Sequence, residues 1–212
     1  MNMGLRHYWK LFFLWTVSTA VIAHPHSYID LKAKWLVTDN QLTGIAFDWQ
    51  LDEITSLTLT YDIFQQMPYP QAMKQIAEEL TQNMQSSTFF THLEQDRQPR
   101  VLYLQPNSSQ AEQNKLKTKF SFILNLDQPI TLANTELTLT TYEPSYYVSM
   151  AFQNHTDIDA AQLPPNCQTQ LIEPNYNQVL QDYAMSLDLG ETADEDLNLG
   201  KQFSQKVILK CQ

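Results

Sequence analysis

The stretch from Ile29 to Leu51, IDLKAKWLVTDNQLTGIAFDWQL, decides the fold. Ile29, Leu31, Ala33, Trp35 and Val37 recur at every second position, with Asp30, Lys32 and Lys34 between them. A period of two is the mark of a half-buried strand, because successive side chains point to opposite faces. Thr38-Asp39-Asn40-Gln41 supplies turn residues, and Ile45, Phe47, Trp49 and Leu51 resume the pattern with Asp48 and Gln50 opposite. The two runs read as a β-hairpin.

Working outward, Glu53–Gln66 (EITSLTLTYDIFQQ) has threonines and isoleucines that favour strand, yet Leu57, Tyr61 and Phe64 keep helical spacing; we read it as helix. The segment from Tyr69 to Met84 is clearer. Met73, Ile76, Ala77, Leu80 and Met84 form one apolar stripe, and Pro70 suits a first turn. Such a stripe reads as a buried face rather than a methionine copper site. Further strands are expected after Phe89, over Arg100 to Gln105, over Phe120 to Leu126, over Leu137 to Thr141, over Tyr146 to Phe152, over Thr169 to Ile172 and over Phe203 to Leu209. Pro106 to Asn114 and His155 to Asn166 read as loops, Asp96-Arg97 and Glu143-Pro144-Ser145 as turns, Tyr176 to Leu187 as a further helix, and the acidic Gly190 to Gly200 as a solvated segment. Strands, two helices, then mostly strands define an α+β class with a predominantly antiparallel sheet and a single domain.

The first residues carry a different message. Arg6 and Lys10 precede LFFLWTVSTAVIA, an apolar run of about 13 residues, short of the roughly 20 that cross a bilayer core. A basic start, a short apolar run and small residues at its end describe a secretory leader, 1–23, cut after Ala23. An uncleaved anchor is the alternative. The mature domain then spans 24–212. Of 13 basic residues, cleavage removes Arg6 and Lys10, leaving 11 against 23 acidic ones. That balance disfavours nucleic acid and anionic lipid as partners and raises the local cation concentration. Cys167 and Cys211 are an even pair in an exported chain, so a disulfide is expected, and with the leader it points to the periplasm.

Cleavage after Ala23 places His24-Pro25-His26 at the new amino terminus. His24 then offers an imidazole and a free α-amine, which titrates near about 7.7–8.0 and yields its proton to a metal at neutral pH. In an extended chain, His24 and His26 share a face. Pro25 has no amide hydrogen, so the square-planar chelate through backbone amides is closed to this terminus. Imidazole suits zinc, nickel, cobalt and copper. Zinc wants three or four ligands, and the candidates to complete the set are His92, Asp52 and Asp48, with Glu53 and His155 weaker. No HExxH, GxSxG, P-loop or glycine-rich fingerprint is present, so no catalytic constellation is visible.

Five motifs in order, HPHSYID, FDWQLDEITS, FFTHLEQDRQP, YEPSYYVSM and FSQKVILKC, make the chain resemble the domain of unknown function family 1007. The resemblance runs from His24 to Cys211. It implies a periplasmic accessory of nickel/cobalt/zinc-type transport, working with an inner-membrane permease. It also implies matching roles for His24, Pro25 and His26, for His92, for Trp49, Asp52 and Glu53, for Tyr142, Glu143 and Pro144, and for the two cysteines. Glu143 stands where relatives usually carry aspartate. The acidic calcium-loop-like stretch of many relatives is missing between Tyr61 and Leu80. The expected function is therefore binding of a divalent transition metal, zinc foremost, by His24, His26 and His92 with Asp52 or Asp48 or water as a fourth ligand. The rivals are a copper enzyme using His24 as a brace, and an adaptor in which His-Pro-His only begins a strand.

Overall fold

The computed structural model describes residues 25–187 and 197–212. The expected leader and His24 therefore lie outside the described residues, as does most of the acidic segment before Gly200.

The hairpin forms as its alternation dictates. Strand β1 (Ser27–Thr38) pairs antiparallel with β2 (Gln41–Leu51), and Leu31 faces Trp49 while Trp35 faces Ile45. Asp39 and Asn40 turn the chain at positive φ (51° and 59°), which short polar residues tolerate best. Strand β7 (Lys117–Thr131) lies on the other side of β2, with Phe47 opposite Phe122 and Trp49 opposite Phe120. Phe47, Trp49, Phe120, Phe122 and Phe89 interlock, with ring centroids 4.8–6.5 Å apart. Each aromatic pair of this kind adds about 0.5–1.5 kcal/mol beyond its buried area.

The helix α1 (Glu53–Gln66) is present, although its apolar residues do not explain it. Its buried residues are Ser56 and Thr60, while Ile54, Leu57 and Tyr61 are exposed. The inner face is joined to the sheet by hydrogen bonds. Ser56 Oγ accepts from the Thr118 amide at 2.7 Å and donates to the Leu51 carbonyl at 3.3 Å. Helix α2 (Tyr69–Gln85) behaves as its stripe requires, burying Ala72, Met73, Ile76, Ala77 and Met84.

Beyond the helices the chain alternates between two sheets. Strand β3 (Thr91–Gln95) turns at Asp96-Arg97 into β4 (Gln98–Arg100). The single strand expected over Arg100 to Gln105 is broken at Val101, and β5 (Leu102–Leu104) belongs to the other sheet, beside β7. The expected loop before Asn114 contains β6 (Gln110–Asn114), an edge strand on β7 whose sequence QAEQN carries no apolar alternation to reveal it. Strand β8 (Glu136–Thr141) pairs with β3. Glu143-Pro144-Ser145 does not close a hairpin: it carries the chain from β8 to β9 (Val148–Ala151) in the opposite sheet, parallel to β1. The short β10 (Ile158–Asp159) interrupts the expected loop and also runs parallel to β1.

Strand β11 (Cys167–Ile172) pairs with β12 (Lys206–Cys211), helices α3 (Gln178–Ser186) and α4 (Leu199–Phe203) lying between them. One sheet has the order β10-β1-β2-β7-β5, with β9 on β1 and β6 on β7; the other has β11-β12-β8-β3-β4. Leu31, Trp35, Phe47 and Phe122 of the first share one core with Leu93, Leu139, Val207 and Leu209 of the second. This is a single-domain α+β fold of two mostly antiparallel sheets. Cys167 and Cys211 are register partners and form a disulfide.

Candidate functional site

The amino-terminal motif enters β1 on a prepared seat. The His26 amide donates to the Tyr147 carbonyl at 3.0 Å, and the Ser27 amide reaches the same oxygen at 3.3 Å. The half-buried His26 imidazole lies against the Tyr147 ring, centroids 4.8 Å apart and planes 41° apart. Tyr147 is placed by Glu143, whose carboxylate accepts from the Tyr147 amide (2.8 Å), the Ser145 amide (2.9 Å) and the Ser145 hydroxyl (2.7 Å). A charged acceptor for three donors is a strong local tie. Gly200 closes this turn from behind: its amide donates to the Pro144 carbonyl at 3.0 Å, and a Cβ there would fall 1.8 Å from the Glu143 carbonyl oxygen.

Asp52 is brought to the same strand entry, in the role of a cap. It accepts from the Tyr28 amide (2.9 Å), the Ser27 hydroxyl (3.3 Å), the Thr55 amide (2.9 Å) and the Thr55 hydroxyl (2.6 Å). Burial alone would raise its pKa; the bonds from Thr55, Tyr28 and Ile54 outweigh burial and hold it below the ordinary carboxylate value. Its oxygens are committed to joining the first turn of α1 to β1. Asp48 lies on the polar face of the first sheet, accepting from Ser121 Oγ at 2.6 Å and facing Lys119 Nζ at 4.0 Å. That face is laced with further pairs, Asp30 with Lys117 and Lys32 with Asp157 among them.

His92 belongs to different surroundings. It lies on β3 with one ring face covered by Tyr142, centroids 4.7 Å apart and planes 23° apart, while the rest of the side chain reaches solvent. Partial burial, and then the Lys201 ammonium, lower its pKa, with Glu94 opposing them. An ammonium that disfavours a proton on this ring disfavours a metal cation there on the same electrostatic grounds. His155 Nε2 is bonded to the Thr169 carbonyl at 2.9 Å. Among the described residues, no three His, Cys, Asp or Glu side chains are grouped to hold a metal.

The segment from Tyr142 to Tyr147 therefore serves both histidines, Tyr142 under His92 and Tyr147 under His26. Composition and spacing left Glu143 as a plain turn residue. The signal that could have marked it is a glutamate two residues before a serine across a proline, a weak one. Lys201, which lies beside His92, carries no local motif and reaches it only through the tertiary fold.

Fold and site together define a two-sheet α+β protein whose histidine-bearing first strand is locked onto a glutamate-organised turn. The chain belongs to the family described as Protein of unknown function (DUF1007), whose model matches residues 10–211. It is similar to an uncharacterized protein of Haemophilus influenzae, 33% identical over 197 residues, covering 92% of this chain and 95% of that one. No solved structure matches it significantly. No helix among the described residues is long and apolar enough to cross a membrane.

Proposed function

We propose that this is a non-enzymatic periplasmic protein that binds a divalent transition metal at its mature amino terminus and serves an inner-membrane permease of the nickel/cobalt type. Zinc is the favoured ion, with nickel, cobalt and copper as alternatives. The ligands are the α-amine and imidazole of His24 and the imidazole of His26. Three nitrogens leave a coordination position open, which suits an ion that is to be handed on rather than kept. Asp52 and Asp48 are not needed as ligands; the first caps α1 and the second belongs to the ion-pair face. The disulfide is compatible with an oxidising compartment.

The observation that carries this reading is the seat of His26. Its amide is tied to Tyr147 and its ring rests on the Tyr147 ring, so its imidazole is held in place before any ion arrives. Preorganised ligands lose less entropy on binding. Zinc titration of the mature protein tests the proposal. Imidazole must be neutral to bind, so affinity is lower in acid than at neutral pH. Replacing His24 and His26 by alanine abolishes binding, and His92→Gln leaves it intact. The adaptor reading, in which the motif only seats a strand, requires that the wild-type protein bind no zinc at neutral pH.

A further inference from the structure

We propose that the groove between α2 and the outer edge of the first sheet receives an extended, uncharged segment of another polypeptide, added to that edge as a further strand. The groove holds about 530 Å³, within the roughly 300–1,000 Å³ typical of ligand sites. Met73 and Ala77 of α2 line one side, and Leu104 of β5 and Ala111 of β6 the other. Lys74 and Glu78 are the charged residues of its wall among the described residues, and they lie 3.8 Å apart one turn along α2. They offset each other, so the groove favours a neutral occupant. No unpaired charge is present to hold a free chain end, which points to an interior segment of a chain.

Strand register fixes which main-chain groups face the groove. β5 and β6 follow one another along the same side of β7, Leu104 opposite Leu124 and Ala111 opposite Phe120. In an antiparallel ladder, alternate residues turn both main-chain groups towards the neighbouring strand or away from it. The Gln105 amide donates to the Ile123 carbonyl of β7 at 2.9 Å, so the groups of Leu104, one residue earlier, point away. The Gln113 amide leaves the sheet and donates to the Tyr69 hydroxyl at 3.0 Å, so those of Ala111, two residues earlier, point away likewise. Among the described residues, neither Leu104 nor Ala111 has a hydrogen-bond partner for these outward groups.

Other outward edge groups are covered by side chains. The Thr169 carbonyl on β11 is bonded to His155 Nε2 at 2.9 Å, and the Val37 amide on β1 donates to Gln162 at 3.1 Å. Gln113 is closed by Tyr69 in the same way. An uncovered edge is a template for a further strand, and main-chain pairing is what holds an extended peptide there. Leu104 and Ala111 stand opposite β7 residues four apart, about 13 Å along the strand. Because that spacing is even, both meet the same side of one extended segment of about five residues.

Titration of the mature protein with end-blocked pentapeptides, acetyl-Ala-Xaa-Ala-Xaa-Ala-amide with Xaa as Val, Leu, Thr or Phe, tests this, followed by amide NMR and hydrogen exchange. At least one peptide saturates, shifts the Leu104 and Ala111 amide resonances and slows their exchange. Ala111→Pro deletes one outward amide hydrogen and spares the ladder to β7, since proline is tolerated where the N–H faces away from the sheet. It weakens that binding about tenfold, the loss expected for one main-chain hydrogen bond. Should circular dichroism show that this variant is not folded, Gln82→Trp, at an exposed position of α2, narrows the groove and weakens binding likewise. Failure of every blocked peptide to saturate, equal affinity in wild type and the folded variant, or binding only of the same peptides with free charged ends overturns the proposal. β1 lies on the other side of β2 from β7, so zinc binding at His24 and His26 is unaffected by these variants.

Discussion

Asp52 shows how much one carboxylate can settle. It ends β2, starts α1 and ties both to the first residues of β1. Asp52→Ala removes an N-cap, and we expect a loss of about 0.5–2 kcal/mol in denaturant unfolding. The pH dependence has a definite sign. The folded-state pKa is depressed, so this stabilisation is present above the unfolded pKa near 3.8 and is lost as pH falls through the folded value. Asp52→Asn therefore flattens the acid limb of a stability-versus-pH curve; an unchanged acid limb contradicts this account. His92 acts in its own window. Its pKa is also depressed, but the group is a base, so the folded state resists a proton that the unfolded chain accepts. Stability falls as pH drops below about 6.5 towards the folded value, and His92→Gln removes that slope.

At the scale of elements, two turns are set by backbone geometry. Thr88 is exposed and left-handed, a poor conformation for a β-branched residue. Asn tolerates that region, so Thr88→Asn raises stability by about 0.5–1 kcal/mol, read from the denaturant midpoint. Gly200→Ala does the reverse. Its methyl group meets the Glu143 backbone, and the overpacking costs about 1–3 kcal/mol. Because Glu143 places Tyr147, the same variant loosens the seat of His26, and under the proposed function it weakens zinc binding without altering a proposed ligand. The elements also show which features could be read in advance. The β1–β2 hairpin and α2 were legible because their buried faces are apolar at the right period. Helix α1 was only faintly so, since it buries Ser56 and Thr60 and uses hydrogen bonds where hydrophobic contact is the usual signal. Strand β6 has no apolar face at all, and the break at Val101 follows from a change of sheet that no local pattern encodes. Of the candidate site, the place of His26 at the entry to β1 was legible. Glu143 was marked only by the family resemblance, because its link to His26 runs through the distant Tyr147 contact, and Lys201 reaches His92 only through the tertiary fold.

For the whole molecule, the disulfide links the ends of β11 and β12 across 44 residues that include α3 and α4. Closing a loop of that length is worth about 4 kcal/mol on the chain-entropy model. Reduction should lower the thermal midpoint by roughly 10 °C for a domain of this size, measured with and without a thiol reductant.

The first strand has a further consequence, for the order of events as the chain is made. On its far side from β2, β1 is completed by β9 and β10. Gln153 bonds Asp30 across 123 residues of sequence, and Gln162 bonds the Val37 amide across 125. Contacts so distant close late, because a long loop must be ordered first. The β1–β2 hairpin can therefore form early while the seat of His26 does not yet exist. A nascent or truncated chain that ends before Tyr147 would carry both histidines and still lack the surface that holds one of them, so metal capture would report on a finished molecule.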